Sequence, residues 1–186
     1  MIKDKEKWDL QHKINPSPDN PLQLLTENIH LAPKGRALDI ACGMGRNSKF
    51  MRDNGFVVDS VDISSYAISK LQNEIDINPI CEDLDTFKIP PHTYNLICNS
   101  FFLERRLFPF MIEGLKKGGL LIFETFIKSD NEAFNAFAKD SSHLLRKNEL
   151  LKSFLDLEIL FYQEKLIQRN NKDSSLALVA RLVARA

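Results

Sequence analysis

The chain has 186 residues, 25 basic and 25 acidic side chains, and 44% hydrophobic residues. That length suits one well-buried domain and is short for two, and the balanced charge supplies no overall field for nucleic acid or an anionic membrane. No apolar run approaches the roughly 18 residues of a membrane span, and the charged start, Lys3 to Lys7, lacks the apolar stretch of a secretory signal. We expect a cytoplasmic protein in which Cys42, Cys81 and Cys98, which share no metal-like spacing, are reduced and mostly buried, with no metal site.

Residues 1–30 are polar and broken by Pro16, Pro18 and Pro21. The first dozen fit a short helix anchored by Trp8. Residues 15–21 must be extended or turning, because proline lacks an amide N–H and restricts its predecessor. Leu22, Leu24, Leu25 and Ile29 fit a second short helix that Pro33 ends. We expect residues 1–30 to be an extension laid on the core, a possible lid, and residues 31–186 to form the main domain. Strand 36–41 is followed by a helix from about Arg46 to the stop at Gly55. Strand 56–61 is followed by a helix that Ser64 caps, with Ala67, Ile68 and Leu71 on one face. Strands are expected at 77–81 and 94–98, then a helix over 107–115 with Phe108, Met111, Ile112 and Leu115 inward. A turn at 116–119 leads to the apolar strand 120–126, which suits the middle of a parallel sheet. Residues 127–145 read as irregular or weakly helical, and Asn148 as the cap of a helix through Leu150, Leu151 and Phe154. Residues 157–166 and 175–183 are β-rich and flank a polar turn at 168–173, a hairpin signature. Five alternating β/α units and a hairpin predict an α/β, Rossmann-like, doubly wound sheet of seven strands, mostly parallel, with an antiparallel C-terminal hairpin.

Residues 37–48 organise this chain. An apolar strand (Ala37, Leu38, Ile40, Ala41) runs into Gly43 and Gly45, and a helix begins near Arg46. Strand, glycine turn and helix in that order present free backbone N–H groups to an anionic group. Asp62 follows Gly43 by 19 residues at the end of the next strand, where a carboxylate can accept both hydroxyls of an adenosine ribose. Two glycines alone are equally well ordinary turn residues; the flanking elements and the spaced acid favour a βαβ unit that binds a nucleoside cofactor. Ser48 stands where a dinucleotide fingerprint has its third glycine, and Asp39 lies four residues ahead of Gly43.

Asp39, Ala41, Gly43 and Gly45 together resemble the acid-x-Gly-x-Gly-x-Gly motif of class I S-adenosylmethionine (SAM) methyltransferases, with Ala41 in place of the first glycine. A narrower resemblance is to small bacterial tellurite-resistance-type methyltransferases. It rests on Gly43 to Ser48, Val61 to Ser64, the segment Phe101-Phe102-Leu103-Glu104-Arg105, Gly118-Gly119, Glu124-Thr125-Phe126 and the pair Trp8-Asp9. A tyrosine that often follows that pair is absent, and His12 lies near its place. The resemblance covers about residues 30–186. It implies SAM as cofactor and S-adenosylhomocysteine as product. It places Asp62 on the ribose, Ile63 against the adenine, Asp83 on the adenine amino group and Leu84 beside the ring. Ala41, Cys42, Gly43, Gly45, Arg46 and Asn47 belong to the turn along the methionine part, and Asn99 and Ser100 face the sulfonium end.

No catalytic side chain stands out. Methyl transfer from a sulfonium depends mainly on alignment in a dry pocket, and a soft anionic nucleophile needs no base. The implied acceptor is a small molecule or inorganic anion: a thiol, a selenium or tellurium oxyanion, or a small carboxylate. Phe101 and Phe102 either wall the acceptor or are plain core. Arg105 either binds an anionic acceptor or pairs with Glu104 or Glu113. Trp8 either covers the cofactor or pins the N-terminal segment. Cys42, beside a helix N-terminus, is an activated thiol or, more simply, a packed small residue. His12, His92 and His143 are candidate bases or solvated imidazoles. Asp83 has an alternative as a turn or cap acid. The rivals are a nucleic-acid or protein methyltransferase with a basic groove of Arg105, Arg106, Lys116, Lys117 and Arg146, a dinucleotide oxidoreductase, and a non-catalytic SAM-binding protein.

Overall fold

The computed structural model describes residues 2–16, 18–135, 140–169 and 175–186. The strands are β1 (Arg36–Ile40), β2 (Val57–Asp62), β3 (Ile77–Cys81), β4 (Tyr94–Ser100), β5 (Leu115–Phe126), β6 (Glu158–Gln168) and β7 (Leu176–Arg185). They form one sheet in the order β3-β2-β1-β4-β5-β7-β6. The first five are parallel, and β7 is antiparallel to both β5 and β6. The helices are α1 (Ile2–Ile14), α2 (Gln23–Asn28), α3 (Arg46–Asp53), α4 (Ser65–Ser69), α5 (Leu107–Gly114) and α6 (Glu149–Ser153).

Central strands covered on both faces read as continuous apolar runs, and β1 and β5 do so. On one face Leu38, Ile40, Ile97, Leu121 and Phe123 pack with Leu107, Phe108 and Met111 of α5 and with Leu150 and Phe154. Phe108, Phe123 and Phe154 meet with ring centroids 5.2–6.0 Å apart, the tilted and edge-on arrangement aromatic rings favour. On the other face Ala37, Leu96, Cys98 and Ile122 pack with Leu24 and Leu25 of α2 and Met51 of α3. Residues 22–29 therefore belong to the same core as β1. Ser64 caps α4, accepting from the Ala67 N–H, and Gly55 sits past α3 in the left-handed region at φ 84°.

Several details differ from expectation. The β3–β4 crossover, residues 82–93, contains no helix. Its backbone is held by Arg106, whose guanidinium donates to the carbonyls of Leu84 and Phe87, while Phe87 and Ile89 fill the space below. β5 starts at Leu115, not at 120. The expected turn is a bulge within that strand, since the register with β4 jumps from Tyr94↔Leu115 to Leu96↔Leu120, with Gly118 at φ 77°. β4 extends through Asn99 and Ser100. Asn148 precedes α6 but caps nothing with its side chain, because it takes a left-handed conformation at φ 59° and its N–H donates to Glu164 instead. Cys81 is exposed; Cys42 and Cys98 are buried, and all three are free. Of the expected hairpin turn at 168–173, residues 170–173 lie outside the described residues, as do Ser17 of the proline stretch and residues 136–139 of the irregular segment. Among the described residues, no helix is long and apolar enough to cross a membrane, and no cluster of His, Cys, Asp and Glu is placed to hold a metal ion.

Candidate functional site

A pocket of about 550 Å³ opens over the C-terminal ends of β1, β2 and β4, the edge at which open α/β sheets bind ligands. Its floor is the turn between β1 and α3. Ala41, Gly43 and Gly45 take left-handed φ values of 53°, 54° and 80°, which bends the chain sharply. The Cys42 N–H continues the ladder to the Val61 carbonyl at 3.0 Å. Asp62, only 6% exposed, then stitches the turn to β2: its Oδ2 accepts the Gly43 N–H and its Oδ1 the Ser64 N–H, each at 2.8 Å. A carboxylate has about four lone-pair sites, so Asp62 retains acceptor capacity for a ligand in the pocket it lines.

Under the turn lies a polar chain. Ser60 Oγ donates to Ser48 Oγ at 2.8 Å, and Ser48 Oγ to Asp39 Oδ2 at 2.5 Å. Ser48, which departs from the dinucleotide fingerprint, is thus a buried structural hydroxyl. Burial raises the Asp39 carboxyl to about 7, although Ser48 and Arg46 oppose the shift. An acid raised in the folded state stabilises fully below its unfolded value of 3.8 and loses that contribution as pH rises to about 7. Urea unfolding should therefore show Asp39→Asn gaining on the wild type between pH 4 and 7, by about 4 kcal/mol at pH 8; parallel curves would refute the buried-acid account. Burial also pushes the Cys42 thiol well up, with Asp39 and Asp62 adding to the effect. Cys42 is the packed small residue, not an activated thiolate.

The other walls come from three directions. Arg46, opening α3, donates to the Asn20 carbonyl and to Ser100 Oγ, both at 3.2 Å. Asn47 Oδ1 accepts the Leu22 N–H at 2.8 Å, which ties the N-terminal segment to the turn. Helix α1 forms a further wall. Its Asp9 Oδ1 accepts Ser64 Oγ at 2.6 Å and the Tyr66 N–H at 2.9 Å, and its Oδ2 accepts Ser65 Oγ at 3.1 Å. The anchor of α1 is therefore this latch and the buried His12, not Trp8, which is 42% exposed. Trp8 nevertheless lines the pocket, as do Phe101 and Phe102. Phe101 also packs on Phe126 with centroids 5.0 Å apart, so it serves as both wall and core.

The sequence matches the family described as Methyltransferase domain over residues 10–174. The chain belongs to that family. No curated protein matches the sequence. Among solved structures, this methyltransferase is similar to TehB from Haemophilus influenzae, with TM-score 0.76 and 22% identity over 96% of this chain and 66% of that one. It thus spans about two thirds of TehB's length. It is also similar to an S-adenosylmethionine-dependent methyltransferase from Mesorhizobium loti, with TM-score 0.66 and 17% identity over 87% of this chain and 96% of that one. A third neighbour was solved in work on converting a disulfide bond into a thioacetal group during echinomycin biosynthesis, with TM-score 0.69 and 18% identity over 97% and 91%. Family, fold and pocket agree on SAM as the cofactor of this methyltransferase.

The residues present fit that group. Asp62 offers its carboxylate where the ribose is expected, and Ile63 and Leu84 give apolar walls beyond it. Both amide atoms of Asn99 are buried without a protein partner among the described residues. An orphaned amide at a strand end is an uncommon cost, but these atoms are sealed beneath the pocket, whose lining does not include Asn99. A Cβ built on Gly43 would lie 3.2 Å from His12 Cε1, so a side chain there would fill the gap between the turn and α1.

Of the residues singled out from sequence, Trp8, Ala41, Cys42, Gly43, Arg46, Asn47, Asp62, Ile63, Leu84, Ser100, Phe101 and Phe102 line this one pocket. Asp39, Gly45 and Asn99 lie under or beside it. Asp83 is not among its lining residues, and its Oδ1 accepts the Asp85 N–H at 3.0 Å in a local turn. Arg105 is a clear correction. It binds Glu149, with Nε to Oε1 at 2.6 Å, and the carbonyls of Ser142 and Leu144. That partnership holds the Glu149 carboxyl down at about 2, and the partner is neither Glu104 nor Glu113. His92 and His143 lie outside the pocket, whereas His12 lines it, as does Arg169 at the end of β6. The i, i+4 spacing of Trp8 and His12 places both on one helix face and was the signal for the first. Nothing local marks Arg169, which the hairpin brings in from far along the chain.

Proposed function

We propose that this methyltransferase acts on a small anionic acceptor, held beside Ser100, Phe101 and Phe102. The observation that carries the reading is Arg46. Its guanidinium contacts only neutral oxygens, those of Asn20 and Ser100, and has no carboxylate within ion-pair distance among the described residues. A cation on a pocket wall with no directly bonded carboxylate favours an anion beside it. Lys49 also lines the pocket but is paired with Glu74 at 3.6 Å. SAM supplies a methyl group on a sulfonium, which an anionic acceptor takes without prior deprotonation. The chain's own contribution is alignment and exclusion of water: the Phe101 and Phe102 rings wall the acceptor, Arg46 orients it, and α1 covers the opening.

Arg105 and Arg106 are engaged by Glu149 and by backbone carbonyls. The basic groove that a nucleic-acid substrate would need is thereby weakened, which supports the small acceptor. Calorimetric titration with SAM, S-adenosylhomocysteine and NAD in parallel, followed by turnover assays with thiols, selenite, tellurite and small carboxylates, tests the reading. Binding of the two sulfur nucleosides and turnover on an anionic acceptor is the expected result. Binding of NAD alone, or turnover confined to nucleic acid or protein, would overturn it.

A further inference from the structure

Resting on the SAM reading, we infer that His12 is a cofactor-binding residue, donating a ring N–H from the lid helix to the carboxylate of the cofactor's amino-acid arm. His12 is 92% buried by its 8% exposure, yet neither ring nitrogen has a hydrogen-bond partner among the described residues. Neither nitrogen is sealed away from the pocket as the Asn99 amide atoms are. The ring thus presents an unpaired donor and acceptor to the pocket it lines.

Its position selects which part of the ligand it meets. The Cβ position of Gly43 lies 3.2 Å from His12 Cε1 and 3.9 Å from both Nδ1 and Nε2. Gly43 is bonded to Asp62 on one side and leads towards Arg46 and Ser100 on the other. With the ribose on Asp62 and the adenine towards Leu84, the stretch beneath His12 is where the arm beyond the ribose must run. That arm carries a carboxylate, which an imidazole N–H suits in either protonation state.

The helix is placed to deliver the ring. Asp9, one turn before His12, takes three hydrogen bonds from Ser64, Ser65 and Tyr66, which follow directly on Asp62 and Ile63. The lid residue and the ribose carboxylate are thus fixed to the same short stretch of chain, and His12 acts as part of the site.

The test compares S-adenosylhomocysteine with 5′-methylthioadenosine, which keeps the nucleoside and lacks the amino-acid arm. Calorimetric dissociation constants are measured for wild type, His12→Ala and His12→Gln, with thermal melts to verify folding. His12→Ala should weaken S-adenosylhomocysteine about tenfold and leave 5′-methylthioadenosine within about twofold, and His12→Gln, which keeps an N–H donor, should recover part of the loss. Equal weakening of both ligands would mean that His12 only packs the lid, and unchanged affinities would mean no role; either overturns the inference. Wild-type protein that bound neither ligand would overturn the SAM reading itself, and His12 with it.

Discussion

Arg181→Ala should destabilise the fold by about 3–5 kcal/mol at neutral pH. Arg181 and Glu124 sit opposite each other on β7 and β5, with Nε to Oε2 at 3.0 Å and side chains only 6% and 7% exposed. Arg181 also reaches Glu27 at 3.6 Å and lies over the Phe161 ring at 5.8 Å. Removing it leaves a carboxylate in the interior with its main partner gone. Burial already pushes the Glu124 carboxyl up, and Arg181 is the chief group opposing that shift. Without the guanidinium the carboxyl rises further. Since a raised acid gives its full stability below its unfolded pKa, the deficit of the variant should shrink as pH falls. Paired replacement, Arg181→Met with Glu124→Gln, should cost less than the single change, because no charge is stranded. Urea melts of the three proteins at two pH values decide the matter; a deficit below 1 kcal/mol, constant with pH, would show that Glu124 finds other compensation.

The second large effect concerns Asp62. Asp62→Ala removes a buried acceptor of two backbone N–H groups and the carboxylate assigned to the ribose. Hydrogen bonds to charged groups contribute about 1.5–3 kcal/mol each, so SAM should bind about ten- to a hundredfold more weakly. Asp62→Asn keeps one carbonyl acceptor and should fall between. The loss should include a stability component, since Gly43 and Ser64 lose their partner as well; thermal melts separate the two. Calorimetry that returned an unchanged SAM affinity for Asp62→Ala would remove the ribose assignment.

Local chemistry explains which parts of this architecture were legible in the chain. The glycine turn, the Ser64 cap and the continuous apolar strands are signals carried by neighbouring residues, and they placed β1 to β5 and the pocket floor. Apart from the start of β5, the strand ends moved by one or two residues, where pairing and not propensity decides. The β4–β5 bulge was read as a turn because Gly118-Gly119 means the same thing locally in either setting. What holds the helix-free β3–β4 crossover was illegible for a different reason: it is Arg106, some twenty residues downstream, acting on backbone carbonyls. Arg105 shows the same limit, since Glu149 reaches it only through the tertiary fold. Helix α1 was half legible: Trp8 and Asp9 drew notice as a pair, but only the structure shows Asp9 holding the helix and His12 facing the turn.

The sheet order has a consequence for how the protein is made. β7 is last of the seven strands along the chain, yet it lies between β5 and β6. While residues 176–185 are still unsynthesised, the edge of β5, with Ile122 and Phe123 beside it, has no neighbour, and β6 has nowhere to dock. Unpaired apolar edges invite association with other chains, and pairing of distant segments slows folding. Five parallel strands thus precede the strand that covers the border of β5, and the arrival of that one ten-residue strand closes the border on both sides at once.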